Sequence, residues 1–506
     1  MPDSKINQDE INSAVWKACD TFRGTIDSSI YKDFVLTMLF LKYISDVHKD
    51  KYQELEKEYG EGSPMIAAMM KSQSFIIPVG ATFWDLYEKR HEAGNGERID
   101  QALHAIEEAN GGKLKNVFQD ISFNTDKLGE EKQKHELLRH LLEDFGTEKL
   151  NLSPSRVGSL DVIGNAYEYL IKHFAAGSGK SAGEFYTPPE VSDLLSIILE
   201  PQEGDDICDP ACGSGSLLMK CGKQIRNNFD GSKKYALFGQ EAIGSTWSLA
   251  KMNMFLHGKD NHKIEWGDTI RNPKLIDSKT SGLMHFDIVT ANPPFSLDKW
   301  GHEGAAKDKY GRFHREIPPK GKGDYAFISH MIETLKPTTG RMGVVVPHGV
   351  LFRGSTEGKI RQQLIEENLL DTVIGLPEKL FFGTGIPAAI LIFKKQKTDS
   401  NILFIDASRS FKSNKNQNQL TEGNIKDIID AFKARKTQDK YAYLATKEEV
   451  ADNDYNLNIP RYVDTFEEEA EIDLNEVRNE RLALQSQLKE LEVEMEGYLK
   501  ELGYGS

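Results

Sequence analysis

The chain has 506 residues, which at roughly 150 residues per domain allows about three domains. Its 39% hydrophobic and 28% charged residues exclude a collagen-like or wholly disordered chain, and its four cysteines are too few for a disulfide scaffold. The net charge of −15 argues against a free-standing nucleic-acid binder, because neutralising phosphates supplies most of such a protein's affinity. Any action on DNA or RNA therefore calls for a local basic patch or a basic partner.

The start, MPDSKINQDE, is polar and lacks the basic-then-apolar pattern of a signal peptide. The longest apolar stretch, Val35–Ile44, is interrupted by Thr37, Lys42 and Tyr43 and falls short of the roughly 20 residues that span a bilayer. The expectation is a soluble, cytoplasmic protein with no membrane partner. Residues 1–150 read as helical. Ile11, Val15, Trp16 and Cys19 recur at helical spacing, then Phe34, Val35, Met38, Leu39 and Leu41, and later Leu137, Leu138, Leu141 and Leu142. No catalytic spacing occurs there, so a structural role or a platform for a partner or DNA is expected.

From residue 151 to 410 the pattern changes. Short β-rich runs end at small or acidic residues and alternate with helical stretches: DDICDPA, YALFGQE, HKIEWGD, HFDIVTANPP, GRMGVVVPHG, LLDTVIGLP, AAILIFKK and NILFIDAS. This predicts an α/β domain with a mostly parallel sheet, whose ligands bind at the carboxyl ends of the strands. After residue 410 the run FKSNKNQNQ reads as loop. Leu474, Val477, Leu484, Leu488, Leu491, Met495 and Tyr498 then follow in steps of three and four, with Arg481 in one apolar slot. About three heptads of this kind suit either a coiled-coil partner or packing on the chain's own domain.

Two motifs carry chemistry. Asn292-Pro293-Pro294-Phe295 follows the apolar run Phe286–Val289. Its prolines stiffen the backbone and remove two N–H donors. The Asn292 side-chain oxygen and the Pro293 carbonyl can both accept from one exocyclic NH2 group, and Phe295 offers a flat face. The set describes a pocket for a planar amine. The second motif, Asp209-Pro210-Ala211-Cys212-Gly213-Ser214-Gly215-Ser216, lies between a strand and a helix, where small residues let a ligand approach the backbone. It is not the dinucleotide fingerprint, since Leu218 stands where a third Gly belongs. Asp209 would repel a pyrophosphate but accept from an ammonium, which favours a cofactor carrying an amino-acid group. Glu241 and Asp268 close the next two strands; the first suits ribose hydroxyls and the second a base amine.

Two further patterns are set aside. Gly177-Ser178-Gly179-Lys180-Ser181 resembles the end of a P-loop, but Phe174 occupies the position of its first Gly, so use of ATP is not expected. Cys208, Cys212 and Cys221 show no C-x-x-C spacing and no companion His, so they read as packing residues and no metal is expected.

Together these segments resemble the modification subunit of type I restriction–modification systems, a family of S-adenosylmethionine-dependent DNA adenine-N6 methyltransferases. The resemblance covers nearly the whole chain. WKACDTFRGTIDSSIYKDFVLTMLFLKYIS looks like the family's helical domain, GEFYTPPEV (183–191) and DPACGSGSLL like its cofactor motifs, and NPPF like its catalytic motif. It implies a Rossmann-like class I methyltransferase domain at 151–410, preceded by a helical domain at 1–150 and followed by a loop and docking helix at 411–506. Glu184, Phe185, Tyr186, Thr187, Pro188 and Pro189 would border the cofactor, with Thr187 and Pro188 near its methionine end. Asp209, Gly213, Ser214, Gly215 and Ser216 would hold that same end, Glu241 the ribose and Asp268 the adenine. Asn292, Pro293, Pro294 and Phe295 would be catalytic and take a flipped-out base.

Implied partners are double-stranded DNA, a separate specificity subunit and a restriction subunit, with two copies of this chain per complex. The locally basic segment 300–325 is expected to lie as a mobile loop over DNA phosphates through Lys307, Lys309, Arg312, Arg315, Lys320 and Lys322. The alternatives are a methyltransferase acting on protein glutamine or on RNA, whose planar amine would also fit the pocket, and a non-catalytic scaffold, against which Asp209, Asn292 and Phe295 speak.

Overall fold

The computed structural model describes residues 7–22, 26–157, 160–177, 186–259, 261–382, 384–415, 417–465 and 474–504. Helix Gln8–Ala18 opens with a capping box between Asn7 and Glu10. The apolar stretch flagged above lies inside the long helix Ser28–Tyr59, where it is buried. Its one charge, Lys42, is fully buried but paired with Asp46 one turn on, and it donates to the Leu150 carbonyl at 2.8 Å. Asp46 also accepts from Trp84 Nε1 at 2.9 Å and from the Leu152 N–H at 2.8 Å. Burying an ion pair is tolerated when every remaining donor and acceptor is satisfied, as here, and the network ties the helical region to the chain entering the next domain.

Nine strands form one sheet in the order β3-β2-β1-β4-β5-β7-β6-β8-β9. They are β1 (Asp206–Asp209), β2 (Ala236–Glu241), β3 (His262–Trp266), β4 (Ile288–Ala291), β5 (Arg341–Pro347), β6 (Leu370–Gly375), β7 (Ala388–Lys394), β8 (Ile402–Asp406) and β9 (Ala442–Ala445). β7 runs antiparallel to β5 and β6, and β9 antiparallel to β8; the remaining pairings are parallel. Both faces are covered, so the central strands read as continuous apolar runs rather than alternating ones. The pleat still sorts them. Val344 and Val346 face a core with helices Asp324–Glu333 and Ser355–Glu366, while Val345 faces helices Pro189–Ile198 and Glu422–Ala434.

β1 is followed outward by β2 and β3 on one side, and the chain then returns to place β4 on the other. The reversal lies between β1 and β4, which pair at Ile207↔Ile288 and Cys208↔Val289. A crevice opens at such a point outside the carboxyl ends of the two strands. This is the mostly parallel α/β architecture expected, with a helical region before it and a helix after it.

The boundary expected near residue 410 needs correction. The sheet does not end near residue 410: helix Glu422–Ala434 and β9 extend it, and the compact unit runs to Val463. The polar run 411–419 is a loop inside the domain. It is followed by an amphipathic helix whose Ile428, Ala431 and Phe432 are buried. The helical region 1–150 packs directly on the sheet region. Phe34 and Leu39 of the long helix belong to the same buried cluster as Leu218, Leu249 and Ile264. Helix Leu160–Gly177 bridges the two parts, its Tyr167 hydroxyl donating to the Leu249 carbonyl at 3.3 Å.

Residues 464–506 form a second unit, chiefly the helix Leu474–Glu501. Every side chain described from Val477 to Tyr504 is exposed, Leu484, Leu488 and Leu491 by more than half. Among the described residues no helix is long and apolar enough to cross a membrane.

Candidate active site

The loop after β1 starts at Asp209, which is 1% exposed. Its Oδ1 accepts from the Ala211 N–H at 2.9 Å. Burial pushes its carboxyl up to about 8, opposed by that hydrogen bond and reinforced by the charge of Glu241. Among the described residues no ion pair involves Asp209, so a cation arriving beside it would relieve the desolvation penalty and restore the charge.

The loop then turns through Gly213 and Gly215, at φ 53° and 82°, a region that side-chain-bearing residues avoid. A Cβ on Gly215 would also stand 2.7 Å from Met254 Cε. Gly215 caps helix Ser216–Asn228, and the Ser214 carbonyl accepts from Asn253 Nδ2 at 2.9 Å. Glu241, at the end of β2, braces the same loop: its Oε2 accepts from the Gly213 N–H at 3.0 Å and its Oε1 from the Ile243 N–H at 2.9 Å. Asp268, after β3, is half-exposed. Its Oδ1 takes the N–H groups of Ile270 and Arg271, both at 2.9 Å, and its Oδ2 meets Arg271 Nη1 at 3.0 Å. Thr269 Oγ1 donates to the Pro210 carbonyl at 2.5 Å, tying this turn to the loop after β1.

Across the crevice, the end of β4 carries Asn292. Its Nδ2 donates to Thr187 Oγ1 at 3.2 Å, and its Oδ1 is buried without a hydrogen-bond partner among the described residues. Leaving such an acceptor unmade costs about 1–3 kcal/mol, and the described residues leave this oxygen unmet. Pro293 is buried and Pro294 half-buried. The half-buried ring of Phe295 stands edge-on to Phe381, centroids 5.8 Å apart. Ser296 has φ 52°, and its N–H donates to Asp324 Oδ1 at 2.8 Å. Asp324 is buried and also paired with Arg353, which is paired in turn with Glu357. A strained residue directly after Phe295 is thus held by a buried charge network.

Of the expected cofactor segment, Glu184 and Phe185 lie outside the described residues. Tyr186, Thr187 and Pro188 are buried, Tyr186 lying 6.0 Å from Phe382, and Pro189 opens helix Pro189–Ile198. The fold therefore brings Thr187, Asp209, the Gly213–Ser216 turn, Glu241 and Asn292 to one crevice.

The basic segment departs from expectation. Arg312, 3% exposed, holds both oxygens of Asp308 and the carbonyls of Thr269 and Ile270. Arg315, also buried, pairs with Glu333 at 2.8 Å and Glu367 at 2.6 Å. Neither guanidinium is free for a phosphate. Nor is the segment a loose cover: Trp300, Ala305 and Phe313 form a satellite core with Ile270. Lys307, Lys309 and Lys320 remain exposed and Lys322 half-exposed.

Asn253, Asp324, Arg353 and Phe381 shape the site without a signal in the sequence. Each acts across a separation of about 30 residues or more that no local spacing records. Cys208, Cys212 and Cys221 are buried thiols, Cys221 pushed up to about 12 by burial. Of the apparent P-loop only Gly177 is described, and it ends a helix. Among the described residues no group of three His, Cys, Asp or Glu side chains could hold a metal ion.

The sheet reverses between β1 and β4, with the buried carboxyl of Asp209 at the end of one strand and the NPPF turn after the other. Comparison makes the family explicit. A family model described as N-6 DNA methylase matches residues 158–471, and one described as HsdM N-terminal domain matches residues 11–145. The chain is 33% identical to the type I restriction enzyme MjaVIII methylase subunit of Methanocaldococcus jannaschii, over 98% of this chain and 85% of that one. It is 30% identical to the MpnII methylase subunit of Mycoplasma pneumoniae, over 97% and 96%. A solved type I restriction-modification methyltransferase subunit from Streptococcus thermophilus superposes with TM-score 0.82 at 36% identity, covering 91% of this chain and all of that one. The chain belongs to the N-6 DNA methylase family, among the methylase subunits of type I restriction enzymes.

Proposed function

We propose that this chain transfers a methyl group from S-adenosylmethionine to N6 of adenine in a specific double-stranded DNA sequence. It would protect host DNA as the modification subunit of a type I restriction–modification complex, with sequence choice left to a separate specificity subunit. The observation that carries this reading is the pairing, across one crevice, of the buried Asp209 carboxylate with the unmet acceptor Asn292 Oδ1.

The residues fit the cofactor. Asp209 and the Gly213–Ser216 turn would receive its amino-acid end, Glu241 its ribose and Asp268 its adenine. When bound, it supplies a methyl group already activated by a sulfonium. The chain's own task is to position the nucleophile. The N6 lone pair of adenine is delocalised into the ring and reacts poorly. Hydrogen bonds from N6–H to Asn292 Oδ1 and the Pro293 carbonyl favour a more tetrahedral nitrogen as the methyl arrives. Thr187 Oγ1 accepts from the amide nitrogen, which leaves the amide oxygen as the acceptor. A duplex hides N6 in its stack, so the base must be flipped out, and Phe295 gives it a face to stack on.

Lys307, Lys309, Lys320 and Lys322 are the remaining phosphate contacts. Four such charges in a chain of net charge −15 give a weak, salt-sensitive site, so specificity and most affinity come from the assembled complex. Two copies of this chain with a specificity subunit, joined by a restriction subunit for cleavage, form the expected assembly.

Labelled methyl transfer to DNA, with and without co-expressed neighbouring subunits, followed by mapping of the modified base, tests this. Methyl-N6-adenine at a defined site, appearing only with the partners, is the expected result; label on protein glutamine or RNA instead rejects it. Asn292→Ala should bind the cofactor normally yet lose methylation by orders of magnitude, and a near wild-type rate would refute the pocket.

A further inference from the structure

The basic segment after the NPPF turn contains an arginine whose bonds run toward the cofactor rather than outward. Arg312 is as buried as a core residue. Its Nη1 donates to the Thr269 carbonyl at 3.2 Å and its Nη2 to the Ile270 carbonyl at 2.7 Å. These are the two residues directly after Asp268. Asp308, four residues earlier, takes Nε at 3.1 Å and Nη2 at 2.7 Å, which fixes the plane of the guanidinium. His330 closes the cage: its Nδ1 lies 3.3 Å from Nη1, and burial followed by the Arg312 charge pushes the imidazole down to about 3, so it stays neutral and accepts.

A second tie runs the same way. Arg271 pairs with Asp268 at 3.0 Å and with Glu303 of the basic segment at 3.5 Å. Beneath both, Ile270 packs with Trp300 and Phe313, and Ala211 and Leu297 pack against that cluster. The Asp268 turn is thus gripped from the segment that follows the catalytic motif. A planar fork that holds two successive carbonyls while its own plane is fixed orients a backbone turn as a lysine ammonium cannot.

We propose that Arg312 is a positioning residue for the cofactor's adenine: it sets the Asp268–Ile270 turn, and it does not contact DNA. This rests on the reading of Asp268 as the adenine acceptor. The loss of two charge-assisted hydrogen bonds to the turn should weaken adenine-bearing ligands by roughly tenfold to a hundredfold.

The test uses the full chain for ligand binding by calorimetry and the co-expressed complex for DNA binding. Arg312→Gln should weaken S-adenosylmethionine and plain adenosine by the same factor, because the damage lies at the adenine end. Duplex affinity and its salt dependence should stay unchanged. Arg312→Lys should recover part of the loss, since an ammonium reaches one carbonyl and Asp308; it also carries the test if Arg312→Gln does not fold. A fall in duplex affinity with cofactor affinity intact overturns the proposal and restores a phosphate contact. A loss for S-adenosylmethionine larger than for adenosine also overturns it, placing the effect at the methionine end. Asp268→Ala separates the two layers. If it loses adenosine affinity while Arg312→Gln does not, the positioning role falls and the adenine reading stands; if it loses none, both fall.

Discussion

Asp209 shows what a single buried carboxylate does in this protein. Its carboxyl, raised from 3.8 to about 8, is largely protonated near neutrality before any ligand arrives. A cationic ligand end favours the charged form, so binding at pH 7 should expel a proton. Calorimetry in buffers of different ionisation enthalpy should detect that release, and Asp209→Asn should abolish it along with most of the affinity. The same shift acts on stability with a definite sign. Because the folded value lies above the unfolded one, the native state binds more protons between pH 3.8 and about 8, and stability falls as pH rises through that window. Asp209→Asn should therefore melt higher than the ligand-free parent, by a margin that widens toward pH 8. The types and spacing of these residues were legible in the sequence because they are local: an acid before a Gly-Ser-Gly turn, an Asn before two prolines. Arg312 and Arg315 were misread for the opposite reason. Thr269, Ile270 and Glu367 lie more than 40 residues away, and the near acid Asp308 stands among lysines, where spacing alone does not say which cation it takes.

At the scale of elements, the central strands were readable because both faces of the sheet are covered and leave unbroken apolar runs such as GVVV and ILIF. β9 was not. Four residues, AYLA, half of them partly exposed at a sheet edge, give too short a signal, and the polar loop before them looked like a domain end. The terminal helix Leu474–Glu501 is the reverse case. Its stripe was plain in the sequence, and its question was what covers it. Leu484, Leu488 and Leu491 are all more than half exposed, and a partner surface that buried them would stabilise the helix. Removing residues 474–506 should abolish co-purification with the specificity subunit and leave cofactor affinity unchanged. A truncated chain that still assembles and methylates a defined site would assign the stripe another role.

Residues 1–463 form one compact unit, in which the helical region and the sheet region share a buried core. The shared core from Phe34 to Ile264 leaves no seam at residue 150, and the buried Lys42–Asp46 pair binds the long helix to the chain at 150–152. Heat should then unfold both parts together. Single-tryptophan variants retaining Trp84 in the helical region or Trp247 in the cofactor half should report coincident transitions, and both should rise by the same amount with saturating cofactor. Two separate melting steps would restore an independent helical domain.

All four cysteines, Cys19, Cys208, Cys212 and Cys221, are buried, and one lies in the helical part while three surround the loop after β1. The folded chain is therefore silent toward alkylating reagents, and each adduct it acquires records an opening event. Adducts at Cys19 and at Cys212 counted in the same molecules would show whether the two ends of the core breathe in concert. Cofactor that slows labelling at both by one factor would mean that the catalytic crevice is guarded by the opening of the entire body, and not by a local gate.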